Sequence, residues 1–121
     1  MKGALTAVVI LVALEHVWFL VLEMFLWTKP IGRKIFRKSP EFARESAALA
    51  AHQGLYNGFL VAGLVWGLLH PDEALGRQLQ IFFLACVVVA GIFGGLTVSR
   101  RIFHLQALPA LVGLGLALAG W

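Results

Sequence analysis

Three ionisable residues, Glu15, His16 and Glu23, interrupt one long apolar stretch near the start of the chain. At about 100° per helical residue, Glu23 falls about 80° from Glu15 and about 20° from His16. A helix would therefore carry all three on one face, with Phe19 between them. Charged groups inside a spanning helix are costly, and by default they mark proton relays, ion paths or ligand sites. Glu15, His16 and Glu23 are thus the acid/base candidates of the chain, able to exchange protons or hold a cation.

A second polar set follows at His52, Gln53, Tyr56 and Asn57. His52–Tyr56 and Gln53–Asn57 are spaced i,i+4, so the four cover an arc of about 140° on a helix. Gln53, Tyr56 and Asn57 offer the donors that carboxylates accept. If the two faces meet, Gln53, Tyr56, Asn57 and His52 would orient a ligand against the carboxyl groups. His104 and Gln106, early in the last apolar stretch, fall at about the depth of Glu23, and His104 joins the ligand-binding candidates. The competing reading is helix-to-helix glue, which amide side chains supply without any ligand. Glue has no need of two carboxyl groups and a histidine on one face, so the sequence favours a functional site.

The chemistry open to such a set is restricted. Glu15 and Glu23 stand about 12 Å apart along a helix and cannot share one ion. A metal site needs three or four convergent ligands, which His16 could complete only with residues from other helices. A haem could use His16, His52 or His104 as axial ligand, but no attachment motif accompanies them. The sequence assigns neither metal nor cofactor. No serine or cysteine nucleophile sits with the histidines at depth, which argues against nucleophilic hydrolysis.

The elements that must position these residues are long apolar helices. Of 121 residues, 60% are hydrophobic and 13% charged, against about 45–50% and about 25% in soluble domains. So short a chain cannot bury that surplus in its own core. Four stretches are long enough to cross a hydrocarbon core, which takes ~20 helical residues: about 3–27, 44–69, 79–98 and 102–121. They are too long and too evenly apolar for barrel strands. The expected fold is all-α, an integral membrane four-helix bundle with short loops, forming a single domain over 1–121. Glu15 and His16 would lie near the bilayer midplane, and Asn57 close to the same depth.

Pro30 and Gly32 end the first stretch, and Ile35 and Phe36 among Arg33, Lys34, Arg37 and Lys38 suit a segment lying at the headgroup level. Ser39-Pro40-Glu41 reads as a helix start. The third stretch, apolar throughout, carries Gly91, Gly94 and Gly95, a spacing that lets helices approach closely. The link at Ser99-Arg100-Arg101 makes the last two helices antiparallel neighbours. Trp18, Trp27, Trp66 and Trp121 suit interfacial belts, and Cys86, the one cysteine, can form no disulfide within the chain.

Of the ten Lys and Arg residues, Lys29, Arg33, Lys34, Arg37, Lys38, Arg44, Arg100 and Arg101 fall on one side of the expected membrane, and Lys2 and Arg77 on the other. The positive-inside rule places the basic loops in the cytoplasm and both termini outside. The net charge of +4 is then a topology signal, and with no recognition motif present nucleic acid is excluded as a partner. The apolar run from Ala7 reaches Trp27, longer than a signal peptide core and without a clear cleavage site, so a retained helix is expected.

Several runs are family-like: Leu14-Glu15-His16, then Glu23-Met24-Phe25-Leu26-Trp27, then Thr28-Lys29-Pro30-Ile31-Gly32-Arg33, then Ala51-His52-Gln53-Gly54-Leu55-Tyr56-Asn57-Gly58-Phe59-Leu60. They resemble the bacterial membrane family catalogued as domain of unknown function 1304. The resemblance spans the chain and implies a short protein of four helices in the bacterial inner membrane. It singles out the same polar residues and implies no reaction. The expected function is therefore binding or movement of a small ligand, coupled to protons, in a buried Glu/His/Gln/Tyr/Asn pocket. The bundle is too small for a conventional transporter alone, so this version implies a homo-oligomer. Two alternatives stand: an intramembrane isomerase or oxidoreductase with haem or metal, acting on an apolar substrate, and an accessory subunit whose polar face pairs with a partner.

Overall fold

The structure, a computed structural model, describes residues 2–121. Met1 and the side chain of Lys2, one of the two basic residues expected on the sparse side, lie outside the described residues. Helices follow one another: α1 (Lys2–Met24), α2 (Pro30–Phe36), α3 (Pro40–Leu69), α4 (Glu73–Thr97) and α5 (Arg100–Ile102). A π-helical turn (Phe103–Ala107) then leads into α6 (Leu108–Leu118). Among the described residues there is no strand.

Three helical segments are long and apolar enough to cross a membrane: Gly3–Met24, Glu73–Thr97 and Arg100–Leu118. Only 33%, 28% and 22% of their most apolar stretches is buried within the chain. The remaining surface is apolar, with Leu11, Leu14, Phe93 and Leu96 among its exposed side chains, and an aqueous surrounding would leave it uncovered. Helix α3 is longer, at 30 residues. Glu41, Arg44, Glu45, His52, Gln53 and Asn57 interrupt it, and it falls short of the apolarity of the other three.

Helix ends follow local chemistry. Ser39 caps α3 by accepting the Phe42 amide at 3.1 Å, and Pro40 follows where no intrahelical donor is needed. Asp72 accepts the amides of Ala74 and Leu75 at 2.9 and 3.2 Å, so α4 starts at Glu73, six residues before the apolar run. Ser99 caps α5 through the Arg101 amide at 3.2 Å. Helix α1 stops at Met24, three residues short of the expected Trp27. There α2 folds back so closely that a Cβ on Gly32 would overlap the Leu26 carbonyl.

The chain divides into two compact units, Glu15–Val61 and a second made of Met1–Leu14 with Ala62–Trp121. In the second unit α4 is central. Leu84, Val87 and Val88 are buried along it, and Gly113 of α6 lies where a Cβ would come within 3.2 Å of Leu84 and 3.1 Å of Val8. Gly91 meets the π-helical turn: its Cβ would stand 2.5 Å from the Ala107 nitrogen. The close, antiparallel fit of α4 with the following segment matches the spacing of Gly91, Gly94 and Gly95. Where α3 meets α4, the Gln80 amide donates to the Gly67 carbonyl at 3.2 Å, and Arg77 donates to the Ala117 carbonyl at the end of α6 at 2.8 Å. Gln80 is buried, so the third apolar stretch is not wholly apolar as the sequence suggests.

The π-helical turn has a local cause. Pro109 has no amide hydrogen, and its ring crowds the carbonyl four residues back, at Leu105. Widening the helix over Phe103–Ala107 relieves that crowding.

The glycines separate packing from propensity. Replacing Gly91 with alanine drives a methyl into the Ala107 backbone and should cost about 1–3 kcal/mol. Gly115 has nothing within 4 Å of its would-be Cβ, so Gly115→Ala should be neutral or stabilising by up to about 1 kcal/mol. Thermal unfolding of both variants in detergent checks the contrast; equal effects would contradict the close α4 contact.

Candidate functional site

The candidate site lies in the unit Glu15–Val61. Its geometry begins with glycine. A Cβ on Gly54 would fall 2.6 Å from Met24 Cγ, 3.2 Å from Glu23 Cβ and 3.3 Å from the Leu20 carbonyl. One turn on, a Cβ at Gly58 would meet Leu20 Cδ1 at 3.1 Å. Gly54-x-x-x-Gly58 is the small-residue spacing that brings helix backbones together, here α1 and α3. Between the two glycines sits Asn57, only 5% exposed. Its side-chain amide donates to Glu23 Oε1, across the α1–α3 contact.

Two turns toward the start of α1, about 12 Å by helical rise, lie Glu15 and His16. The His16 side chain is wholly buried, its ring edge-on to Phe19 at 5.2 Å between centroids. His16 Nδ1 stands 3.9 Å from Glu15 Oε1, close enough for charge attraction and too far for a hydrogen bond. Glu15 keeps 20% of its side chain exposed, yet its Oε1 is buried with no hydrogen-bond partner. A buried acceptor without a donor is a specific cost and asks for an explanation.

Beyond Met24 the unit is tied by aromatic and hydroxyl contacts. Trp27 Nε1 donates to Ser46 Oγ at 3.0 Å, Ser46 donates in turn to the Phe42 carbonyl at 2.6 Å, and Trp27 packs on Phe36 at 4.8 Å. Arg37 adopts the left-handed conformation (φ 56°) as α2 ends, and Lys38 Nζ sits 5.0 Å over the Phe42 ring. These contacts set the turn that returns α3 alongside α1.

The structure thus brings Glu23 and Asn57 together, and Glu15 beside His16. It places the other expected ligand residues differently. His52, Gln53 and Tyr56 lie on exposed parts of α3, where the His52 and Tyr56 rings pack at 4.7 Å and Tyr56 on Phe59 at 5.7 Å. His104 belongs to the other unit; it is exposed in the π-helical turn, with Nδ1 2.9 Å from the Arg100 carbonyl. No group of three His, Cys, Asp or Glu side chains among the described residues converges to hold a metal ion. Gly54 and Gly58 carry no chemistry of their own and are not among the expected site residues, although their spacing is the signal that α3 turns this edge inward.

The Asn57–Glu23 bond yields a double-mutant test. Asn57→Leu leaves the Glu23 carboxyl without its donor and should cost about 1–3 kcal/mol. Combining it with Glu23→Met removes both polar groups, and the double variant should be more stable than Asn57→Leu alone. Unfolding in detergent measures the coupling; strictly additive losses would mean that the bond carries no energy.

No solved structure matches the chain. A relative from Lactococcus lactis subsp. lactis (strain IL1403), "Uncharacterized protein YpaA", is 26% identical over 107 residues, covering 87% of this chain and 88% of the relative. The chain carries the pattern described as "Protein of unknown function (DUF1304)" over residues 10–118, and it belongs to that bacterial family.

Proposed function

We propose that the chain is a single-domain protein of the bacterial plasma membrane in which α1, α3, α4 and the α5–α6 segment each cross once. Its basic loops face the cytoplasm and both termini face out. Helix α3 earns its place as a span by length: residues 46–69 hold no Asp, Glu, Lys or Arg and cover about 36 Å at helical rise, more than the ~30 Å of hydrocarbon. Its apolarity is lowered by Asn57, which serves the cluster at Glu23, and by His52 and Gln53 on its exposed side.

Within that frame, the Glu15–His16–Glu23–Asn57 cluster binds a small ligand bearing N–H donors, such as a protonated amine. The observation that carries this reading is the Glu15 Oε1 acceptor, buried and unmatched beside a wholly buried imidazole. A donor from the ligand would satisfy it. Glu23, already engaged by Asn57, lies about 12 Å along the same face, so it is a second, successive acceptor that the ligand would reach after leaving Glu15. His16 and the carboxyl groups are able to exchange a proton for the ligand, so movement of the ligand would run against protons. The exposed His52–Tyr56–Phe59 row supports association of two copies through α3, since polar groups facing lipid are covered at a protein contact.

The test is uptake of methylammonium by reconstituted vesicles, followed with an internal pH indicator. Uptake should saturate with concentration, vanish in Glu15→Gln and fall about tenfold in Asn57→Ala, the loss of one hydrogen bond to a charged group. Uptake that neither saturates nor responds to Glu15→Gln would sink the ligand reading.

A further inference from the structure

A second feature lies in the other unit, where the chain turns from α4 into α5. A groove of about 300 Å³ is lined there by Ile92, Gly95, Leu96, Arg100, Phe103 and His104. Its walls are apolar and open: Ile92 is exposed, and Leu96 is 82% exposed. Its floor is formed where Gly95 admits Phe103, since a Cβ on Gly95 would meet Phe103 Cβ at 2.6 Å. The π-helical turn, which holds Phe103 and His104, shapes the opposite wall.

One end of the groove is cationic. Arg100 lines it and is exposed, Arg101 follows, and the sequence contains no acidic residue after Glu73. The adjoining α4, π-helical and α6 segments beyond that point hold no Asp or Glu to neutralise the Arg100 guanidinium. At the same end, His104 Nδ1 lies 2.9 Å from the Arg100 carbonyl. That contact needs the proton on Nδ1, so the Nε2 lone pair of the neutral ring is free to accept from a hydroxyl. The groove therefore pairs an apolar trough with a cationic head and one hydrogen-bond acceptor.

We propose that this groove holds one acyl chain of an anionic, hydroxyl-bearing phospholipid, with the phosphate on Arg100. The headgroup hydroxyl donates to His104 Nε2, and the acyl chain lies between Ile92, Leu96 and Phe103. Ile92 is eight residues before Arg100, so the trough runs from the turn into the span of α4, as an acyl chain does below its phosphate. The inference rests on the membrane-spanning part of the proposed function and is independent of the Glu15 cluster.

Native mass spectrometry of the full chain, offered an equimolar mixture of dioleoylphosphatidylglycerol and dioleoylphosphatidylcholine, tests it. The two lipids share their tails. Phosphatidylglycerol should be retained about fivefold over phosphatidylcholine, the effect of one well-placed cation. Arg100→Gln should abolish the preference, and Leu96→Trp should lower retention of both lipids by filling the trough. Arg37→Gln, on the other basic loop, should leave the preference intact. Both substituted groove residues are exposed, so folding is expected to survive, and unfolding in lipid-free detergent verifies it. Equal retention of the two lipids, or a preference untouched by Arg100→Gln, would overturn the site. So would displacement of the lipid by glycerol 1-phosphate, which would assign the groove to free phosphate esters. If the protein stays in carbonate-washed membranes while the preference is absent, the lipid site fails and the membrane reading stands. Release by carbonate defeats both.

Discussion

A polar group withdrawn from water must find its partner inside the protein, and this chain is organised around that requirement. The backbone meets it by being helical almost throughout, which pairs each amide with a carbonyl of the same segment. The side chains meet it by reaching between helices. Asn57 supplies a donor to Glu23, Gln80 donates to the Gly67 carbonyl, and Arg77 donates to the Ala117 carbonyl at the end of α6, which the Gly120 amide meets only at 3.3 Å. The requirement goes unmet at two side-chain oxygens among the described residues, Glu15 Oε1 and Gln80 Oε1, and it is the first, beside the buried His16 ring, that the proposed ligand would satisfy.

Small residues make those pairings reachable. A side-chain amide as short as that of Asn57 can touch Glu23 only because Gly54 and Gly58 let α3 lie directly on α1. The same device recurs in the other unit. Gly91, Gly94 and Gly95 receive Ala107, Ile102 and Phe103, and the π-helical turn is thereby held against α4. The glycines thus do opposite work to the bulky residues: Leu22, Leu64 and Leu84 fill buried space, while the glycines remove it so that polar groups meet.

The helical class, the family and most helix starts were legible in the sequence. The apolar runs were long enough to leave few alternatives, and Ser39 announced its cap through Pro40 and Glu41. The α4 start was less legible, because Asp72 caps a polar first turn that an apolar count ignores. The shared face of Glu15, His16 and Glu23 followed from helical spacing. What spacing could not supply was the rotation of α3. An arc of about 140° runs from His52 to Asn57, and either edge could turn inward. The glycines decide it: Gly54 and Gly58 share an edge with Asn57, which leaves His52, Gln53 and Tyr56 exposed. The π-helical turn was not foreseen, although Pro109 carries its cause.

The central claim is that α3 crosses the membrane despite its polar edge, for only then is the Glu23–Asn57 contact a buried one in lipid. Single cysteines at Lys34, Pro71 and Val98, in a Cys86→Ser background, test it with a membrane-impermeant maleimide on intact cells. Pro71→Cys should label from outside, and Lys34→Cys and Val98→Cys only after the membrane is opened. Labelling of Pro71→Cys and Lys34→Cys from the same side would show that α3 does not cross, and would contradict the account.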